Sequence, residues 1–372
     1  MLTILAASLL LCAYTWIGYP LVIFVLSRVR PMRVRRTPEW TPSVTACVAV
    51  HNGAQHVERK LLSLLSQDYP ADKVEVLVYA DGCTDDTVEV VTALARRDSR
   101  VKLVVGAARA GKPTALNRML QEASGEVLVM TDVRQPLAAP AFRALVSALG
   151  AEEVGCASGN LMLEGATGAG FYWKYENWIR SVEARFRSMV GVTGPIYAVR
   201  RVDVAELPAD TILDDVWIPM RLRLAGKLLL FVPEAEARDD AFDDEREFSR
   251  KARTLAGNYQ LFARLPRLLL PFANPFWFET FSHKVLRLVC PWVLVALPLA
   301  TTAALAEAGR TGGTLAGALW SLAAAEFLLV AVAAVGSKAG RIGILARTFV
   351  VLNAAAIVGL WRFLGGRQRV TW

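Results

Sequence analysis

The chain has 372 residues, 54% of them hydrophobic and 20% charged, with a formal net charge of +8. That length suits one large water-soluble domain or a domain with membrane spans, and the charge is not a nucleic-acid footprint, because no basic and aromatic interleaving accompanies it. Cys12, Cys47, Cys83, Cys156 and Cys290 are odd in number and show no CxxC spacing, and the only histidines are His51, His56 and His283. This argues against a disulfide framework, a zinc site and a histidine-dependent triad.

Leu2 to Leu26 carries no charged residue, and at about 1.5 Å rise per residue it is long enough to cross a ~30 Å hydrocarbon core. A cleaved signal peptide would open on basic residues with a shorter apolar run, so residues 1–27 read as a retained transmembrane helix. Arg28, Arg30, Arg33, Arg35 and Arg36 follow in a basic linker over residues 28–42. They are a solvated linker on the plain reading. On the positive-inside rule they put the next segment in the cytoplasm, beside anionic lipid of the inner membrane.

From residue 43, short β-branched runs alternate with helical patterns, which predicts an α/β fold with a mostly parallel sheet. The expected strands are Val44 to Val50, Val74 to Ala80, Val101 to Val105 and Val127 to Met130. The expected helices are His56 to Ser66, Asp85 to Arg96 and Pro113 to Ala123. The second half is less regular. Gly155 to Leu163 and Gly191 to Val199 are candidate strands, Gly170 to Met189 an aromatic-rich helix, and Asp214-Asp215 leads a helix that Gly226 closes. The domain is expected to run over residues 43–262, followed by an interfacial aromatic segment at 263–283. Apolar helices over 284–366 and a tail at 367–372 complete the chain. Val285 to Leu305, Thr314 to Val335 and Ile342 to Leu360 are the candidate spans. Three crossings would leave the tail arginines Arg362, Arg367 and Arg369 outside, against the charge rule; either the last segment is re-entrant or interfacial, or the tail is an exception.

In a parallel sheet, residues ending successive strands converge on one crevice. His51-Asn52, Asp81-Gly82 and Thr131-Asp132 stand at three such ends. Thr84 or Asp85 suits an N-cap, leaving Asp81 free to accept hydrogen bonds from a base or ribose. Gly111-Lys112-Pro113 opens a helix as an anion site would, without the remaining residues of a P-loop. A strand-end Asp132 suits Mg²⁺ or Mn²⁺ bridging a pyrophosphate, because hard cations take carboxylate oxygen and complete their shell with phosphates. The plain reading of Asp214-Asp215 is an N-cap with a dipole-friendly neighbour; if one of the two faces the donor, like-charge proximity and partial burial raise its pKa and make it a usable base. Arg250, Lys251 and Arg253 are a salt-bridge face with the acidic run Asp239, Asp240, Asp243, Asp244 and Glu245, or a neutralising group for a diphosphate.

This order of residues resembles the membrane-bound family 2 glycosyltransferases of GT-A fold, the group of cellulose, hyaluronan and ceramide-glucose synthases. The likeness is strongest from Val48 to Asp86 and extends over about residues 43 to 260 through Gly111-Lys112, Asn117, Asp132, Gly194, Asp214-Asp215 and Arg250 to Arg253. The resemblance implies that His51, Asn52, Asp81, Gly82, Lys112, Asn117, Asp132 and Arg134 bind a nucleotide sugar, UDP-linked above others. Asp132 matches the first aspartate of the DxD motif and is the implied metal ligand, and Asp215 matches the base, preceded by Asp214. Gly194, Arg250 and Arg253 would hold acceptor and diphosphate, the two arginines matching the ends of a (Q/R)xxR element. The second DxD aspartate is replaced by Arg134, which could supply positive charge instead, and Thr254 stands where synthases carry tryptophan. The implied activity is inverting transfer to a polysaccharide acceptor, with a lipid acceptor or a non-catalytic scaffold as alternatives. Homo-oligomers stay open, since few spans make a channel in one subunit.

Overall fold

The computed structural model describes residues 2–164, 168–240, 244–308, 313–368 and 370. Its seven-stranded sheet has the order β3-β2-β1-β4-β6-β5-β7, with β1 (Val44–Val50), β2 (Val74–Asp81), β3 (Val101–Gly106), β4 (Val127–Asp132), β5 (Val154–Glu164), β6 (Ile196–Arg200) and β7 (Leu228–Asp240). β1, β2, β3 and β4 pair in parallel, β6 runs antiparallel to β4 and β5, and β5 pairs in parallel with β7. β1 and β2 are buried along their whole length, which is why they read as unbroken apolar runs instead of alternating ones.

Helices cover both faces. Odd and even residues of a strand point to opposite sides, so Val48 and Val50 join a core with Leu61, Leu64, Phe142 and Leu145. Ala49 and Leu77 join a second core with Leu116, Met119, Trp217 and Phe262. The helices, in chain order, are α1 (Leu2–Ala13), α2 (Tyr19–Val29), α3 (Ala54–Leu65), α4 (Thr87–Arg97), α5 (Lys112–Glu122), α6 (Ala141–Leu149), α7 (Gly168–Phe186), α8 (Asp214–Leu224) and α9 (Asp244–Arg264). Beyond them lie the short α10 (Trp277–Glu279), α11 (Leu286–Ala308), α12 (Thr314–Val335) and α13 (Gly340–Leu364).

Among the described residues, three helical stretches are long and apolar enough to cross a membrane: Leu2–Val29, Trp277–Ala308 and Thr314–Leu364. The last holds two of the expected segments, α12 and α13, joined by a 3₁₀ turn with left-handed glycines at Gly336 (φ +61°) and Gly340 (φ +64°). The C-terminal half of α13 lies flush on α9, since a Cβ at Gly359 would come 2.9 Å from the Ala256 nitrogen and 3.0 Å from the Ala252 oxygen. A buried knot ties these helices to the sheet domain. His283 bonds Glu183 (2.7 Å) and Glu176 (3.3 Å) of α7, and Tyr19 of α2 donates to Glu183. Arg223 of α8, fully buried, donates to the carbonyls of Ser188 and Phe276, each at 3.0 Å.

Two expectations need correction. Gly191 to Val199 is a strand only from Ile196, because Gly191 takes φ +95° and residues before Ile196 turn toward the sheet edge. β7 and α6 had no expectation in the sequence reading. Within the acidic run, Asp243 lies outside the described residues, as does Arg369 of the tail.

Candidate active site

The strand register lines up the polar ends. Val50 pairs with Ala80 on one side of β1, and Ala49 pairs with Asp132 on the other, so Asp81 and Asp132 flank β1 at the same edge. There the loops after β1 and β2 are stitched together. Asn52, at φ +51°, accepts from the Thr84 N–H (2.8 Å) and donates to Thr84 Oγ1 (3.1 Å). Asp85 accepts from the N–H groups of Ala54 (3.1 Å) and Thr87 (3.2 Å), the first residue of α4, but the N-cap position itself falls on Asp86, whose side chain makes no cap bond, and not on Thr84 or Asp85 as expected. His51 donates through Nδ1 to the Asp81 carbonyl at 2.7 Å.

Asp81 is not free, contrary to the sequence expectation. Its side chain is fully buried, and its two oxygens accept from the N–H groups of Ala110 and Gly111, both at 2.8 Å. The carboxylate thereby sets the loop that launches Lys112. Gly82 permits this arrangement, because its φ is +58° and a Cβ would stand 2.3 Å from the Arg109 nitrogen.

Lys112 is the electrostatic hub. Its Nζ lies 2.9 Å from Asp132 Oδ1 and 3.2 Å from Asp214 Oδ2. Burial opposes the charge on Lys112, but Asp132, Asp214 and Asp215 outweigh it and keep the ammonium protonated far above its usual range. Asp132 feels burial in the upward direction, yet Lys112, then Lys60 and Arg253, hold its carboxyl below the ordinary value. Asp215 goes the other way. Burial first, then the neighbouring Asp214 and Asp132, push it up to about 6 against the opposing pull of Lys112 and Lys284. Two carboxylates side by side on α8 thus differ in task, one paired with a lysine and one poised near neutrality. Gly194 sits directly against Asp215, with a Cβ there falling 2.5 Å from Oδ2.

Lys112, Asp132, Asp214, Asp215 and Gly194 therefore meet, with Arg253 in electrostatic reach of Asp132. Arg250 stands exposed one turn earlier on α9. Two expected members face elsewhere. Asn117 uses both ends of its amide on Leu207, donating to its oxygen and accepting from its nitrogen at 2.8 Å each, so it clamps the loop before α8. Arg134 reaches Asp239 of β7 at 3.0 Å, and Gln135 donates to the same carboxylate.

Among the described residues, no group of three or more His, Cys, Asp or Glu could enclose a metal ion. Asp132 still suits a hard cation in a looser way. Its Oδ1 takes Lys112 while its side chain stays 38% exposed, and Mg²⁺-type sites commonly use one or two carboxylates with substrate phosphates as the remaining ligands.

Several groups escaped the sequence reading. Lys60 is fully buried and donates to Thr131 Oγ1 (2.6 Å) next to Asp132; burial lowers its pKa to about 7 against the pull of Asp132. Its signal was available, since it shares the inward face of α3 with Val57, Leu61 and Leu64. Tyr197 of β6 is buried, and among the described residues its hydroxyl has no hydrogen-bond partner; burial, then Asp214 and Asp215, push its pKa far up. Arg180 and Lys284 border the same region from helices remote in sequence.

Residues 45–200 match the family described as Glycosyl transferase family 2. The mannosyltransferase PcManGT from Pyrobaculum calidifontis, solved with GDP-Man and Mn2+, superposes with a TM-score of 0.76 at 26% identity, over 98% of this chain and 99% of that one. Glycosyltransferase AglD of Haloferax volcanii is 35% identical over 92 residues, 24% of this chain and 15% of its own length. A beta-monoglucosyldiacylglycerol synthase of Nostoc sp. is 28% identical over 116 residues, 31% of this chain and 25% of its own length. The matched segments thus span a quarter or less of these two curated relatives. Residues 45–200 thus carry a family 2 glycosyltransferase domain, and the strand order together with the likeness to a solved glycosyltransferase gives the chain a GT-A fold.

Proposed function

We propose that this chain is an inverting glycosyltransferase that moves a sugar from a nucleoside diphosphate sugar to a hydroxyl acceptor delivered at the cytoplasmic face of a membrane. The observation that carries this reading is the environment of Asp215. Its carboxyl, pushed up to about 6, lies against Gly194 and beside the Lys112 pair. A base with that affinity is deprotonated at neutral pH and still accepts a proton readily. Asp215 takes the proton from the acceptor hydroxyl as its oxygen attacks the anomeric carbon, and the nucleoside diphosphate departs from the opposite face.

His51, Asn52 and Asp81 form the floor under the nucleotide, Asp81 acting through the loop at Ala110 and Gly111. Lys112, Arg250 and Arg253 offset charge on the departing diphosphate, and Asp132 holds the ribose or a divalent ion; Asn117 and Arg134 act at one remove, through Leu207 and Asp239. A divalent cation bound there, Mg²⁺ or Mn²⁺, supplies further charge stabilisation for the leaving group. The Pyrobaculum protein was solved with GDP-Man and Mn2+, which supports this class of donor and metal.

A lipid-borne acceptor is better supported than a growing polysaccharide. Three apolar helical stretches border the domain, and the loop before α10 presents Leu269, Leu270 and a largely exposed Phe272. The Nostoc relative's name describes synthesis of a glycolipid. The test is a panel of labelled UDP- and GDP-sugars with the full chain in lipid nanodiscs, with and without Mn²⁺ and a chelator. A single-sugar lipid of inverted anomeric configuration is expected. A retained anomer overturns the base assignment, and a long polymer overturns the lipid acceptor.

A further inference from the structure

One short loop connects Asp215 to two cations from the membrane-side helices. In Gly191-Val192-Thr193-Gly194, the last glycine abuts Asp215. Thr193 Oγ1 accepts from Arg180 Nη1 of α7 at 3.0 Å. Gly191 lies against Lys284, whose Nζ is 3.5 Å from the position of a Cβ there. The two cations are near enough to repel each other, and Lys284 is near enough to influence Asp215.

Neither has a carboxylate within 4.0 Å among the described residues. Arg180 otherwise lies over the Trp173 ring at 5.0 Å, with its Nε buried and unpartnered, and Lys284 donates only to Asn258 Oδ1 at 3.4 Å. Nearby cations are neutralised: Lys112 by Asp132 and Asp214, Arg187 by Glu279, and Arg287 by Glu176. Both cations are half-buried, and Asp215, Glu176 and Glu183 act on Lys284, and Glu176 on Arg180, only from beyond contact distance; half-buried cations without a direct counter-charge leave a place for an anion. Both cations stand on or beside the apolar stretches. α7 meets the first apolar stretch through the ring contact of Trp178 with Phe24 and the Tyr175 hydroxyl on the Trp16 carbonyl, and Lys284 stands just before α11. The departing diphosphate, in contrast, has Lys112 and Arg253 near the sheet edge.

We propose that Arg180 and Lys284 form a phosphate-recognition subsite for the acceptor, so that the acceptor is a phospholipid or lipid phosphate ester whose free hydroxyl comes to Asp215. This inference rests on the glycosyl-transfer reading above. The phosphate is bound and does not react. The hydroxyl oxygen forms the bond to the anomeric carbon and its proton passes to Asp215. The bond from that carbon to the nucleoside diphosphate breaks, with its electron pair leaving on the diphosphate.

The test uses the full chain in phosphatidylcholine nanodiscs, with fluorescent phosphatidylglycerol, neutral monoglucosyldiacylglycerol and inorganic phosphate as probes. Phosphatidylglycerol is expected to bind about tenfold more tightly than the neutral lipid, and Arg180→Gln or Lys284→Gln to remove about that factor, the scale of one charge-assisted contact. Lys284→Arg retains the preference, which separates charge recognition from misfolding. Equal binding of the charged and neutral lipids by the unaltered chain overturns the proposal. So does inorganic phosphate binding as tightly as phosphatidylglycerol with the same sensitivity to both variants, which makes the site one for free anions. Weakened nucleoside diphosphate binding in either variant, with lipid binding intact, also overturns it by assigning the cations to the donor. If the unaltered chain binds the charged lipid but no nucleotide sugar, the transferase reading fails while the phosphate subsite stands without its acceptor role.

Discussion

No side chain fits at position 194, because a Cβ on Gly194 would stand 2.5 Å from Oδ2 of Asp215. The backbone of the 191–194 loop is thus one wall of the pocket that holds the carboxylate. Gly194→Ala must displace one or the other. Misplacing a reacting group by about 1 Å costs up to about a hundredfold, so kcat should fall by about ten- to a hundredfold while nucleotide affinity holds. Steady-state kinetics with a nucleotide titration checks this, and an unchanged kcat removes the wall from the mechanism.

Asp215→Asn should reduce transfer by about a hundredfold to ten-thousandfold, the usual contribution of a positioned base, with nucleotide binding nearly intact. In the unaltered chain the base must be deprotonated, so the transfer rate should climb as pH rises through about 6. Stability follows the opposite sign. A carboxyl whose folded pKa is raised stabilises the fold below its unfolded value, and that contribution is lost as pH rises through about 6. Asp215→Asn should therefore have the higher Tm at pH 8, with the difference shrinking toward pH 4. Retained turnover in the variant, or a pH-independent rate, contradicts the base role.

Asp132→Asn tests the metal. With the carboxylate gone, nucleotide affinity should fall about tenfold, the scale of a lost charge-assisted contact, and lose its response to Mn²⁺ and chelator. Calorimetry with UDP and GDP reads both effects. A metal response that survives the substitution locates the cation elsewhere.

Asn117→Ala should act on stability. Both of its amide hydrogen bonds go to Leu207, so its removal leaves a backbone donor and acceptor short of partners, at about 1–3 kcal/mol. Denaturant unfolding should show that loss while nucleotide Kd stays put. A large rise in Kd at unchanged stability would return Asn117 to the nucleotide.

Gly359→Leu probes the seam between α13 and α9, where backbone atoms of Ala252 and Ala256 crowd the missing Cβ. Overpacking costs typically about 1–3 kcal/mol. Because Arg253 lies between those two alanines, diphosphate affinity should weaken along with Tm. A fall in Tm with unaltered diphosphate binding would uncouple α13 from the site.

The sequence by itself determined the parts that depend on local order. Three of the four parallel strands, β1, β2 and β4, were legible because a strand buried on both faces is a continuous apolar run, whereas the half-exposed edge strand β3 showed only its β-branched residues; the aspartates at positions 81 and 132 stood out because they end such runs. The Asp214-Asp215 pair was visible for the same reason, as charge at the start of a helix. Tertiary structure alone decided what each group faces. Asp81 turned out to hold a loop thirty residues away, Asn117 a loop ninety residues away, and Lys284 and Arg180 arrived at the loop that abuts Asp215 from helices far along the chain. A hydrogen bond or ion pair depends on separation in space, and strand and helix periodicity carries no record of which distant segments the closed core brings within 3 Å.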